Sequence, residues 1–168
     1  VHSIDDVKTI AELMLGATLT TIQTGPQGQT VRRVYIEQGC TFVRSFYVAL
    51  LIDTTLGQLI FLVSPERGSE GIEEIATKYP ERVIKTIVDI DTGLTEKQAQ
   101  QLAADVDLMG SHAEIFVRYL RALHEAFINL DASLIEISPL VVTDNGEVMA
   151  LDAKMTFDDN ALFRHPTV

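Results

Sequence analysis

Cysteine is nearly absent: Cys40 stands alone in 168 residues. That excludes an internal disulfide and a cysteine-based zinc site, and it suits a reducing compartment. Basic residues are scarce, 13 lysines and arginines against 24 aspartates and glutamates, for a formal net charge of −11. A field of that sign argues against a general nucleic-acid binder and against an anionic membrane surface. It leaves phosphate ligands open, because backbone N–H groups, magnesium and a few placed cations can hold them. No apolar run approaches the length of a membrane span, and no signal peptide, internal repeat or low-complexity segment is visible. The chain opens on Val1 rather than methionine, so the expectation is a piece of a longer protein.

What is present is enough apolar material for a sizeable core, 46% of residues, in one domain or two closely packed subdomains. Ser3-Ile4-Asp5-Asp6 has the form of a helix N-cap, with Val7, Ile10, Ala11 and Met14 at helical spacing and Gly16 as the stop. Thr18–Thr24 alternates as a short strand, Gly25–Gly28 is a turn, and Thr30–Glu37 (TVRRVYIE) is a better strand. Phe46–Ile52 and Gln58–Val63 are apolar runs around Asp53–Gly57, a hairpin for the middle of a sheet. Pro65–Gly71 is a loop, Ile72–Tyr79 a short helix and Val83–Ile90 a strand. Thr95–Gln98 and Ser111–Glu114 are both capping boxes, the second opening the longest helix, to about Asn129. The residues after Lys154 are polar and turn-rich. This order predicts an α+β (mixed α/β) fold with a largely antiparallel sheet and packed helices.

The chain is organised around Leu130–Lys154 (LDASLIEISPLVVTDNGEVMALDAK), whose two apolar arms flank Asn145-Gly146, a strong hairpin signal. With a three-residue loop Asp144–Gly146, Ser138 falls opposite Asp152. Glu136 shares a face with Ser138 by alternation. Opposed residues also share a face, so three oxygen donors converge. A two-residue loop would move Asp152 to the other face. Such a set suits a hard cation: Mg²⁺ takes one or two carboxylates, completed by water and substrate phosphates. The same pattern equally describes two acids on the wet face of an antiparallel sheet.

At Leu130–Lys154 and again at Phe157–Pro166 (FDDNALFRHP) the sequence resembles the nucleotide-binding β subunits of succinyl-CoA synthetases. The resemblance continues through Met14–Gly28, Val31–Glu37 and Ile72–Ala76. Malate–CoA ligases and ATP-citrate lyases share much of it. It implies an ATP-grasp fold over residues 1–168, lacking a glycine-rich loop upstream and a CoA-ligase domain downstream. It further implies reversible formation of succinyl-CoA from succinate and CoA with ATP or GTP, with Mg²⁺ as cofactor. The implied partner is an α subunit that carries a phosphohistidine and binds CoA. His2, His112, His124 and His165 then serve as surface, cap or packing residues. The implied location is the bacterial cytoplasm or the mitochondrial matrix. On these expectations the 168-residue piece alone has negligible ligase activity.

Carried over by position, Asp152 matches a magnesium ligand and Ser138 the second one, where the family usually has asparagine. Glu136 matches an acid beside the phosphoryl path, with an electrostatic role. Glu37, Cys40 and Ser45 match nucleotide-contacting positions, Ser45 replacing the usual glutamate. The two serine departures also fit a different class of protein, a scaffold subunit that has lost its nucleotide site.

Overall fold

The computed structural model describes residues 1–21, 24–66 and 72–167, with the side chains of Glu66 and of residues 72–74 left aside. It divides into two compact units, Val1–Cys40 and Thr41–Val168.

In the first unit α1 (Ile4–Met14) starts where expected: the Ser3 hydroxyl accepts the Asp6 N–H at 3.1 Å. Asp5 and Asp6 sit in its first turn, where the helix dipole favours acids. β1 (Thr18–Leu19) and β2 (Gln29–Thr30) pair antiparallel around the Gly25–Gly28 turn, closed by Gly28 N–H to Gly25 C=O at 3.1 Å. Both strands are shorter than the sequence suggests. The hydroxyls of Thr21 and Thr24 accept each other's backbone N–H at 3.1 and 2.8 Å, a local alternative that ends β1. The rest of that expected strand, Ile22 and Gln23, lies outside the described residues. Residues 31–37 form no strand either. Val31 exchanges backbone bonds with Gly16 and Ala17 at 2.8–2.9 Å, and no ladder continues beyond it. Alternation makes a strand only where a partner offers its backbone groups.

The second unit is a six-stranded antiparallel sheet ordered β5 (Ile84–Val88), β4 (Gln58–Glu66), β3 (Phe42–Asp53), β6 (Ala132–Thr143), β7 (Val148–Ala150), with β8 (Ala153–Phe157) also paired to β6. Of the expected loop Pro65–Gly71, the first two residues extend β4, and 67–71 lie outside the described residues. The β3–β4 turn is held by Asp53, whose Oδ1 accepts the N–H groups of Thr55 and Leu56 and whose Oδ2 meets Lys85 Nζ at 2.9 Å. These bonds, that to Lys85 first, hold the Asp53 carboxyl below its ordinary value. α2 (Ile72–Lys78) precedes β5.

Helices α3 (Glu96–Asp105) and α4 (Gly110–Asn129) supply the apolar partners of one sheet face. That core contains Phe46, Val48 and Leu50 of β3, Phe61 and Val63 of β4, Ile135 and Ile137 of β6, and Leu102, Phe116 and Leu120 of the helices. α3 opens with the expected capping box: Gln98 N–H reaches the Thr95 hydroxyl, and the Gln98 side chain accepts the Thr95 N–H. α4 does not. Its N-cap is Met109, without a side-chain cap, and Ser111 lies inside the first turn. Gly110, at φ +60°, turns the chain before Ser111 is reached. The tail departs too: residues 155–157 extend β8, because the 12-residue β6 is long enough to pair β7 and β8 in succession.

His124 of α4 packs on the turn before α3. A Cβ on Gly93, itself at φ +70°, would lie 2.7 Å from the His124 Cε1. The His124 Nε2 is buried with no partner, and burial lowers its pKa below 6.5, against a smaller opposing pull from the Glu125 carboxylate. The folded state therefore prefers the neutral ring, and the unfolded chain binds the proton first. Stability is kept above the unfolded value and lost as pH falls below about 6.5 toward the lowered folded value. Thermal midpoints from pH 7.5 to 5.5 should fall more steeply for the parent than for His124→Phe.

Candidate functional site

The site grows from the β6–β7–β8 hairpin. Leu140, Val141 and Val142 face Ala150, Met149 and Val148, the register of a three-residue loop with Gly146 at φ +85°. Beyond a short gap the same register resumes: Ile137, Glu136, Ile135 and Leu134 face Ala153, Lys154, Met155 and Thr156. In the gap, Ser138–Pro139 lie against Leu151–Asp152. Ser138 N–H donates to Asp152 C=O at 3.2 Å, and Leu151 N–H donates to Pro139 C=O at 3.0 Å.

The gap has a cause on the other side of β6. Phe46 faces Leu140 and Val48 faces Ile137, so Tyr47 alone opposes both Ser138 and Pro139, a β-bulge. Bulges bend a strand and re-aim its side chains. The Ser138–Pro139 bond is cis.

Alternation then sorts the faces. Ile135 and Ile137 belong to the core with α3 and α4. Glu136, half-buried, takes the opposite face, with Ala49 on one side and Lys154 on the other. Asp152 lies in the irregular stretch between β7 and β8: counted back from Lys154 it takes the face of Glu136, counted on from Ala150 the opposite one, and it is exposed. Its Oδ1 accepts the Ala153 N–H at 2.9 Å. Ser45, on β3 two residues before Tyr47, falls on the same face of the sheet. Across the bulge the backbone row runs Ser64, Tyr47, Ser138, Asp152, from β4 outward. Ser64 is fully buried and its hydroxyl has no partner.

The structure thus gathers Glu136, Ser138 and Asp152 along one pair of strand segments, with Ser45 on the same sheet face. Glu37 and Cys40 belong to the first unit. Glu37 is exposed and lines a groove of about 620 Å³ with Val7, Ile10, Met14 and Tyr35. Cys40 is half-buried. Among the described residues no three histidine, cysteine, aspartate or glutamate side chains group to hold a metal. The hairpin donors are one exposed carboxylate, a hydroxyl and a second carboxylate across the strand. They are all hard oxygen donors, and Mg²⁺ needs only one or two carboxylates when water and phosphate complete its shell. The residues present fit that ion.

The histidines stay outside this set. His112 approaches Gly146, whose added Cβ would lie 3.1 Å from Nε2. His165 pairs with Asp131 at 2.7 Å, beside Arg164 at 2.6 Å. With Asp158 N–H donating to Asp131 C=O at 2.8 Å, the FDDNALFRHP tail is tied to the start of β6. Lys154, to which the sequence reading gave no role, is brought to Glu136 by the register that pairs Ser138 with Asp152.

A family model described as an ATP-grasp domain matches residues 1–142. The β subunit of succinate–CoA ligase [ADP-forming] from Anaeromyxobacter dehalogenans (strain 2CP-C) is 47% identical over 167 residues, covering 99% of this chain and 43% of that protein. The subunit of the same name from Acidiphilium cryptum (strain JF-5) is 46% identical over 162 residues, 96% of this chain and 40% of that protein. That from Staphylococcus aureus (strain Newman) is 44% identical, covering 99% of this chain and 42% of the relative. The chain therefore spans less than half the length of these relatives. Among solved structures, ATP citrate lyase from Methanothrix soehngenii, in complex with citrate and coenzyme A, superposes with a TM-score of 0.69 at 18% identity. It covers 97% of this chain and 35% of that one, a likeness of fold. Among the described residues no helix is long and apolar enough to cross a membrane.

Proposed function

We propose, from the premise that this chain belongs to the ATP-grasp domain family, that it is the nucleotide-handling part of a succinate–CoA ligase β subunit. The full protein would interconvert ATP or GTP, succinate and CoA with succinyl-CoA, nucleoside diphosphate and phosphate. Its partner is an α subunit bearing the histidine that carries the phosphoryl group, and its location is the cytoplasm. The observation that carries the reading is the hairpin register, which sets Ser138 beside Asp152 two positions from the opposed pair Glu136 and Lys154.

In this reading Asp152 and Ser138 would hold Mg²⁺, Ser138 through its hydroxyl or a bound water. Bound there, the ion would supply charge neutralisation for phosphoryl transfer. Glu136 sets the field around metal and phosphohistidine and does not attack. Ser45, Glu37 and the backbone at Cys40 are assigned to the nucleotide. Calorimetric titration of the full-length chain with Mg-ATP and Mg-GTP tests this. Saturable binding of either is the expected result, and a folded sample that gives no binding heat overturns it.

A further inference from the structure

Lys154 is the only lysine or arginine between Leu130 and Phe157, a stretch with five acids. It stands directly across the ladder from Glu136, and opposed Cβ atoms lie roughly 4.5–5.5 Å apart. It follows Asp152, the residue just before β8, by two positions. It is exposed. The ion pairs among the described residues join Lys85 to Asp53, Arg121 to Glu96, and Arg164 and His165 to Asp131, so Lys154 has none. A lysine between two carboxylates and joined to neither is available to a ligand.

Charge says which ligand. A divalent ion at Asp152 offsets about what Asp152 and Glu136 bring. A polyphosphate would then arrive with its own charge uncompensated, on a protein already at −11. The geometry points to Lys154 as a phosphate-binding residue, its ammonium gripping the nucleotide's phosphate chain beside the metal. This rests on the nucleotide reading above. Lysine suits the task as a compact charge with three donors on a flexible stem, and N⁺–H···O⁻ bonds are about twice as strong as neutral ones. A purely structural role would be different in kind: an exposed pair with Glu136 would contribute little to folding and nothing to ligand affinity.

The test uses the full-length chain with Lys154→Met, which keeps the stem and removes the charge, and Lys154→Arg, which keeps the charge. Calorimetric titration with Mg-ATP should show binding about tenfold weaker for Lys154→Met and within about threefold of the parent for Lys154→Arg. Thermal midpoints should agree within about 2 °C, as for an exposed site. Parent binding with Lys154→Met unchanged overturns the lysine assignment alone. Equal losses of affinity and midpoint in both variants also overturn it, since they report structure. Absence of binding by the parent overturns both this assignment and the nucleotide reading.

Discussion

Asp152→Ala in the full-length chain is expected to weaken magnesium-dependent nucleotide binding by about a hundredfold or more while barely moving the melting point. Losing even a supporting contact to a metal ligand typically costs 10–100-fold in metal affinity, and on the proposed reading this substitution removes a ligand itself. The folding cost is small because Asp152 is exposed, its backbone bond to Ser138 survives the substitution, and its carboxylate's bond to the neighbouring Ala153 N–H is open to solvent. Water replaces such a bond at little cost. Asp152→Asn separates the two roles: the amide oxygen keeps the bond to Ala153 and the charge is lost. Calorimetry with Mg-ATP, paired with thermal melts, measures both quantities. An Asp152→Ala chain that binds as the parent does would remove Asp152 from the site.

Phe116→Ala is expected to show the opposite profile, a loss of about 3–5 kcal/mol in folding stability. Phe116 is fully buried on α4, and its ring lies 5.8 Å from that of Phe46 on β3 at 53°. The truncation removes a helix-to-sheet contact and leaves a cavity that close-packed neighbours refill only in part. Against a total of about 5–15 kcal/mol for an ordinary domain, that is a large share. Leu13→Ala on α1 is the control, because Leu13 is 69% exposed and should change stability by less than about 0.5 kcal/mol. Urea midpoints of the two variants decide the matter. Similar midpoints would mean that the Phe116 site collapses without cost.

The outcomes along the chain divide by the range of the interaction. The Ser3 cap and the Thr95 capping box lie within four residues of their targets, and both form as the pattern implies. The second capping box fails within the same distance, because Gly110 takes a left-handed conformation and starts α4 early. The 30–37 strand and the strandless tail fail for a longer-range reason, since each depends on whether a distant segment offers a free edge. For the candidate site, the hairpin register that sets Ser138 beside Asp152 and Glu136 beside Lys154 was legible because one tight turn fixes it. The bulge at Ser138–Pro139 was not, because it is a mismatch with β3, nearly a hundred residues away in sequence.

Sequence by itself thus settled the helix starts that rest on local caps, the hairpin with its register, the antiparallel character of the sheet, and the exclusion of disulfide and zinc–cysteine chemistry. All of these follow from composition or from bonds a few residues apart. Tertiary structure alone decided which face of β3 takes the helices, where β6 skips a residue, and which alternating segments find an edge to pair with. Those outcomes depend on backbone groups and side-chain volumes brought together from distant parts of the chain, and a strand's pattern does not name its neighbour.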